Sequence, residues 1–148
     1  MIDGHHRISL DSSPLIYFLE DDPLRAPFVE DLLGLSGAGG VTLVISAVTE
    51  AELLVGPLRA ADPTAATVVR ALLDGDAQIR VRDVTRSIAQ EAALLRAEER
   101  LGLIDAIVVA TALEERCTAL VGNDRALRRI GDRLTYFHID DLLEARRP

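Results

Sequence analysis

Residues 105–124 read DAIVVATALEERCTALVGND, and this stretch decides the fold. From Ala106 to Leu113 the chain is apolar on nearly every side, which marks a helix buried all round, as against a sheet. Asp105 opens it, and Glu114-Glu115-Arg116 forms its polar end. Ala119–Val121 predicts a short strand, and Gly122-Asn123-Asp124 a turn into a helix over Arg125–Ile130. Leu134–Phe137 predicts a last strand and Asp140–Arg146 a last short helix. Upstream, Thr85 to about Arg100 is helical, with Ile88, Ala92 and Leu95 on one face, and Leu101-Gly102-Leu103 breaks it. Ile79–Val81 predicts another strand.

The N-terminal half repeats the alternation. Ile8–Leu10 is a short apolar strand ending at Asp11. Ser13-Pro14 looks like an N-cap with Pro at the first helical position, followed by Leu15, Ile16, Phe18 and Leu19. A second helix runs from about Ala26 to Leu35. Val41–Ala47 is rich in β-branched residues and predicts a buried strand. Thr49-Glu50-Ala51-Glu52 opens a helix, and Asp62-Pro63 caps another with Val68, Val69, Leu72 and Leu73 on its apolar face. Strands alternating with helices predict an α/β fold with a mostly parallel sheet.

Length and composition fit that reading. The chain has 148 residues, 49% hydrophobic and 27% charged, which predicts one globular domain over residues 1–148. Cys117 is the single cysteine, so neither an internal disulfide nor a cysteine-rich zinc site is available. No apolar run approaches the ~18 residues of a membrane span, and the start lacks a signal-peptide layout. A cytoplasmic protein is expected. The net charge of −8 argues against a broad basic face for nucleic acid. All 16 basic residues are Arg, and with no Lys the chain excludes Schiff-base chemistry and a P-loop lysine.

Ligands of open parallel sheets gather beyond the carboxyl ends of the strands, near the point where strand order reverses. Asp11 follows the first predicted strand and Asp124 the strand at 119–121. Glu52 lies one turn into the helix after the second strand, and Asp105 begins the buried helix. Four carboxylates at one sheet edge repel each other unless a cation sits among them or some are protonated. Carboxylates without His or Cys suit hard ions such as Mg²⁺ or Mn²⁺. Each acid also has a local explanation. Asp105 and Asp124 could cap helices, Thr49-x-x-Glu52 fits a capping box, and Asp11 could end its strand in a turn. His5, His6 and His138 have no zinc spacing; His5 and His6 are expected at the surface, and Cys117 in the core.

Four segments carry a resemblance. Leu10-Asp11-Ser12-Ser13-Pro14-Leu15-Ile16-Tyr17 resembles the opening motif of PIN-domain proteins. Ile45-Ser46-Ala47-Val48-Thr49-Glu50-Ala51-Glu52-Leu53-Leu54-Val55-Gly56 resembles their second. Asp105-Ala106-Ile107-Val108-Val109-Ala110-Thr111-Ala112 resembles the third, and Leu120-Val121-Gly122-Asn123-Asp124-Arg125-Ala126-Leu127 the fourth. Order and length are similar to VapC-type toxins of type II toxin–antitoxin pairs, over about residues 7–143. In two places the chain departs from the usual motifs: Ser12 stands where Thr is common, keeping the hydroxyl, and Gly122 stands where Thr is common, losing it.

The resemblance implies a PIN-like (Rossmann-like) three-layer α/β/α fold with a short, mostly parallel central sheet. It implies a metal-dependent endoribonuclease, with Asp11, Glu52, Asp105 and Asp124 holding Mg²⁺ or Mn²⁺ and with Ser13 and Asn123 supporting them. It implies in-line attack leaving 5′-phosphate and 3′-hydroxyl ends. It implies a homodimer and a cognate VapB-type antitoxin, one of whose Arg side chains could reach the acids. Neutralising four acids removes half of the −8, and Arg25, Arg86, Arg96 and Arg125 are candidate grips on RNA. Two other readings stand beside it: a PIN-fold binding module without catalysis, and a phosphotransfer protein on a similar sheet. The latter lacks the Asp-x-Asp pair of a phosphatase after the first strand and the late Lys of a receiver.

Overall fold

The computed structural model describes residues 2–148. In chain order the elements are β1 (Arg7–Leu10), α1 (Ser12–Leu19), α2 (Ala26–Gly37), β2 (Thr42–Ser46), α3 (Ala47–Arg59), α4 (Pro63–Asp74), β3 (Arg80–Arg82), α5 (Arg86–Glu99), α6 (Leu103–Glu114), β4 (Ala119–Gly122), a 3₁₀ helix (Arg125–Ile130), β5 (Thr135–His138) and α7 (Ile139–Ala145). The five strands pair in the order β3-β2-β1-β4-β5, every pair parallel.

The period-two alternation of strand side chains splits the core into two layers. Ile8, Leu10, Leu43, Ile45, Ala119 and Val121 face one side, where Leu15, Phe28, Val29, Leu53 and Val69 of α1–α4 and Ile139 of α7 pack. Val44 and Leu120 face the other, under Ile88, Ala92 and Leu95 of α5 and Ala106, Val109 and Ala110 of α6. The three-layer α/β/α sandwich that the resemblance implies is the observed one, and the sheet is parallel as the alternation predicts. The sheet is parallel throughout because each strand is followed by a helix that returns the chain to the same edge.

Element ends moved where a better cap lay nearby. Asp11, not Ser13, is the N-cap of α1, its carboxylate accepting the Ser12 N–H at 2.8 Å. The Thr49–Glu52 capping box does not form. Ser46, at the end of β2, accepts the Val48 N–H at 3.2 Å and starts α3 at Ala47. Likewise α6 starts at Leu103 behind Gly102, so Asp105 is a first-turn residue and not the cap. Arg125–Ile130 is helical as expected but wound as 3₁₀, with Asp124 as its N-cap. His5 is half-buried, not a free surface residue: its ring meets Phe137 edge-on and bonds the Thr118 hydroxyl at 2.8 Å. Cys117 is in the core as expected, and burial pushes its thiol up to about 12. Among the described residues no helix is long and apolar enough to cross a membrane.

Candidate functional site

The chain builds β1, β2 and β3 outward in one direction, then crosses back to lay β4 on the other side of β1. Strand order therefore reverses between β1 and β4. There the helices leave the two strands on diverging paths and open a crevice beyond their carboxyl ends. The Asp11 N–H bonds the Val121 carbonyl at 2.9 Å and closes the floor of that crevice.

Asp11 rises from β1 at its centre, buried to 7% exposure. Burial pushes its carboxyl above the ordinary range; the Ser12 N–H opposes this, and the charge of Asp124 adds to it. Asp105 enters from the first turn of α6, whose N-terminal end favours an anion. Partial burial raises it, and so do the charges of Asp11 and Asp124. Glu52 enters from α3. Partial desolvation raises it, as do Asp11 and Asp105, while a hydrogen bond from Ser12 lowers it. Asp124 follows β4, exposed, with its carboxylate accepting the Ala126 N–H at 2.9 Å. The four predicted acids thus share one crevice: Asp11 raises Glu52 and Asp105, and Asp124 raises Asp11 and Asp105.

The acids face each other without being clenched. Among the described residues no group of three or more His, Cys, Asp or Glu is already arranged to hold a metal ion. The donor set still fits a hard divalent cation. It is all carboxylate, and three of its members are held above their ordinary range by burial and by each other. A cation drawn between them would relieve both penalties.

The supporting residues divide. Asn123 donates its side-chain N–H to the Tyr17 hydroxyl at 2.5 Å, which ties the turn after β4 to α1. Ser13 makes no side-chain hydrogen bond among the described residues, whereas its neighbour Ser12 lies near enough to Glu52 to lower its carboxyl. Of the four candidate RNA-gripping arginines, Arg25 is committed elsewhere. It lies over the Tyr17 ring at 4.7 Å and grips Asp140 through Nε at 2.8 Å and its terminal nitrogen at 3.2 Å. Arg96 donates to the Leu101 carbonyl at 3.0 Å. Arg125 sits beside Asp124, half-exposed, with only a long 3.8 Å contact to Asp141. Arg86, in the first turn of α5, has no ion pair among the described residues.

Two features escaped the sequence reading. The first is Tyr136, whose hydroxyl accepts the Asp124 N–H at 3.0 Å. Its position in a strand predicted from apolar pattern alone gave no sign that it reaches the crevice. The second is an apolar groove of about 520 Å³ between α1, α3 and α4, lined by Ile16, Leu19, Leu53, Pro57 and Val68 and ending at Glu52.

No curated protein matches the chain by sequence. Solved structures do match its shape. VapBC2 from Rickettsia felis, bound to a DNA fragment from its promoter, superposes with a TM-score of 0.73 at 19% identity, covering 89% of this chain and 98% of that one. DNA-bound VapBC from Salmonella typhimurium gives 0.72 at 20%, over 90% and 98%. VapC20 from Mycobacterium tuberculosis, a sarcin-ricin loop cleaving toxin, gives 0.59 at 20%, over 76% and 86%. At such identities the likeness is one of fold. The PIN domain model, however, matches the sequence itself over residues 8–133, a span that holds all four acids and runs from within β1 past β4. The chain belongs to the PIN domain family.

Proposed function

We propose that this protein is a metal-dependent endoribonuclease of the VapC toxin type, held in check by a VapB-type antitoxin. The observation that carries the reading is the crevice between β1 and β4. Four acids from four separate elements act on one another there, and three of them are held above their ordinary range. A fold that only needed helix caps would have no reason to crowd them. Asp105 and Glu52 cap nothing.

Asp11, Glu52, Asp105 and Asp124 would hold Mg²⁺ or Mn²⁺, which when bound acidifies water and offsets the charge building on an attacked phosphate. The residues of the chain do the rest. The N-terminal end of α6 favours the ionised form of Asp105, against the burial and neighbouring acids that raise it. The Ser12 N–H holds Asp11 from the first turn of α1, and the Ser12 side chain favours the ionised form of Glu52. Asn123, through Tyr17, fixes the turn that carries Asp124. Arg125 stands beside Asp124 with its guanidinium half-exposed, placed to meet an RNA phosphate. RNA as the substrate class is supported by one structural neighbour, named as a sarcin-ricin loop cleaving toxin.

An antitoxin partner is supported by the neighbours that are VapBC complexes and by the groove between α1, α3 and α4. A partner segment lying in that groove reaches Glu52, and an Arg on it would meet the acids directly. A second copy of the chain is also expected as a partner. The test is cleavage of a total RNA pool by antitoxin-free protein with Mg²⁺ or Mn²⁺, with and without EDTA. Cleavage that EDTA abolishes supports the proposal and gives the target by end mapping. Folded protein that cuts nothing in any divalent ion argues for a binding module instead.

A further inference from the structure

Gly122 closes β4, and its backbone sits in no left-handed conformation that would demand glycine. Space demands it. A Cβ there would stand 3.1 Å from the Tyr136 hydroxyl oxygen and 3.3 Å from the Cβ of Asp11. Tyr136 lies on β5 opposite Leu120, two residues short of the strand's end. From that position its ring reaches forward over Gly122 to the carboxyl edge, where the hydroxyl accepts the Asp124 N–H at 3.0 Å. Asp11, just beyond β1, Gly122 on β4 and Tyr136 on β5 interlock at one point.

Asp124 is the acid that needs such help. It stands on an exposed turn, while Asp11 is buried and Asp105 and Glu52 ride on long helices. Its backbone N–H would otherwise face water. The half-buried Tyr136 phenol lies among Asp11, Asp124 and Asp105. A phenol that accepts one bond still has a proton to offer toward those acids.

We propose that Tyr136 is a positioning residue of the acid crevice: its hydroxyl, seated in the space left open by Gly122, fixes the Asp124 backbone and so aims that carboxylate at Asp11. The role in ion binding rests on reading the acids as a metal site; the tether to the Asp124 backbone does not.

Two readouts on antitoxin-free protein separate these claims: Mn²⁺ affinity by calorimetry, and exchange of the Asp124 amide proton by NMR. Tyr136→Phe keeps the ring and removes the oxygen. It is expected to speed exchange of the Asp124 amide while β1 and β4 amides keep their protection, and to weaken Mn²⁺ binding about two- to tenfold, the range of one net hydrogen bond. In an Asp124→Asn background Tyr136→Phe should cost nothing further, because the two act through one residue. Gly122→Ser alone should weaken binding by crowding the phenol oxygen. Combined with Tyr136→Phe it should restore most of the affinity by returning a hydroxyl to the same space. Wild-type Mn²⁺ affinity in Tyr136→Phe, or an equal loss in the Asp124→Asn background, overturns the positioning role. An unchanged Asp124 amide overturns the tether. A wild-type protein that takes no Mn²⁺ overturns the metal-site reading, and the amide result then decides the tether by itself.

Discussion

Asp11 and Glu115 are both buried carboxylates, 7% and 8% exposed, at opposite ends of the same two elements. Asp11 follows the last residue of β1, with Asp105 near it at the start of α6. Glu115 follows the end of α6 and reaches Arg7 at the start of β1. Around Glu115 the chain has gathered cations. Arg7 meets it at 2.9 Å, Arg80 at 3.1 Å and Arg82 at 2.9 Å, and the Arg7 Nε also bonds its carbonyl at 2.8 Å. Around Asp11 the chain has gathered three more acids and, among the described residues, no ion-pair partner. Burial of a charge is tolerated when it is paired within the protein, so the Glu115 end is complete and holds the fold together. The Asp11 end is complete only with something positive from outside. Burial alone does not separate a structural carboxylate from a functional one; the sign of its neighbours does.

The comparison breaks most visibly on activity. Asp11→Asn should lower ribonuclease kcat by about three orders of magnitude, the scale lost when a transition-state charge stabiliser is removed, and leave the fold as stable as before or more so in EDTA. Activity per folded molecule near the wild-type level in that variant would sink the division between the two ends. The next largest effect is linkage to the ion. At a free Mn²⁺ concentration about 100 times its dissociation constant, the wild type should gain about 2.7 kcal/mol of stability. Asp11→Asn should gain little of it, measured by urea denaturation with and without the ion. Glu115→Gln is the mirror experiment. It should cost about 2 kcal/mol, less than the ~3–5 of a fully buried pair because the three guanidinia reach water. Its response to Mn²⁺ should match the wild type. A Glu115→Gln protein that lost its Mn²⁺ response would mean that the two ends are not independent.

How much of this the sequence carried depended on whether the signal was local. The layers were legible because alternation in strands such as Leu43-Val44-Ile45 and the all-round apolar α6 report burial directly. Asp11, Glu52, Asp105 and Asp124 were legible because each stands at a strand end or helix start, and parallel topology forces such places to one edge. The starts of α1, α3 and α6 were not, since Asp11, Ser46 and Gly102 compete as caps with Ser13, Thr49 and Asp105, and the competition is settled by where each strand's ladder stops. Glu115 looked like the polar end of a helix. Its burial comes from Arg80 and Arg82, more than thirty residues away, which no local pattern encodes. Tyr136 was hidden for the same reason: its hydroxyl acts on residue 124 across a strand pair.

The smallest effect is a difference of sign with pH. Beside the crevice, Arg25 holds Asp140 by a hydrogen bond and by its charge, and partial burial only partly opposes this, so the carboxyl lies below its ordinary 3.8. A lowered carboxylate stabilises the fold above 3.8, and that contribution fades as pH falls through its lowered value. Asp11 is raised, so in metal-free protein its sign is reversed. The native state takes up its proton first, and the fold gains stability as pH falls from neutral through the raised value toward 3.8. Stability measured against pH in EDTA for wild type, Asp140→Asn and Asp11→Asn separates the two. The Asp140 difference should be flat above pH 5 and worth under about 1 kcal/mol, because that side chain is 38% exposed. It should vanish only below 3.8. The Asp11 difference should change above 3.8 and be constant below it. Two curves bending in the same window would mean that neighbours of opposite sign do not set these carboxylates apart, and the contrast between the paired and the unpaired acids would fall with them.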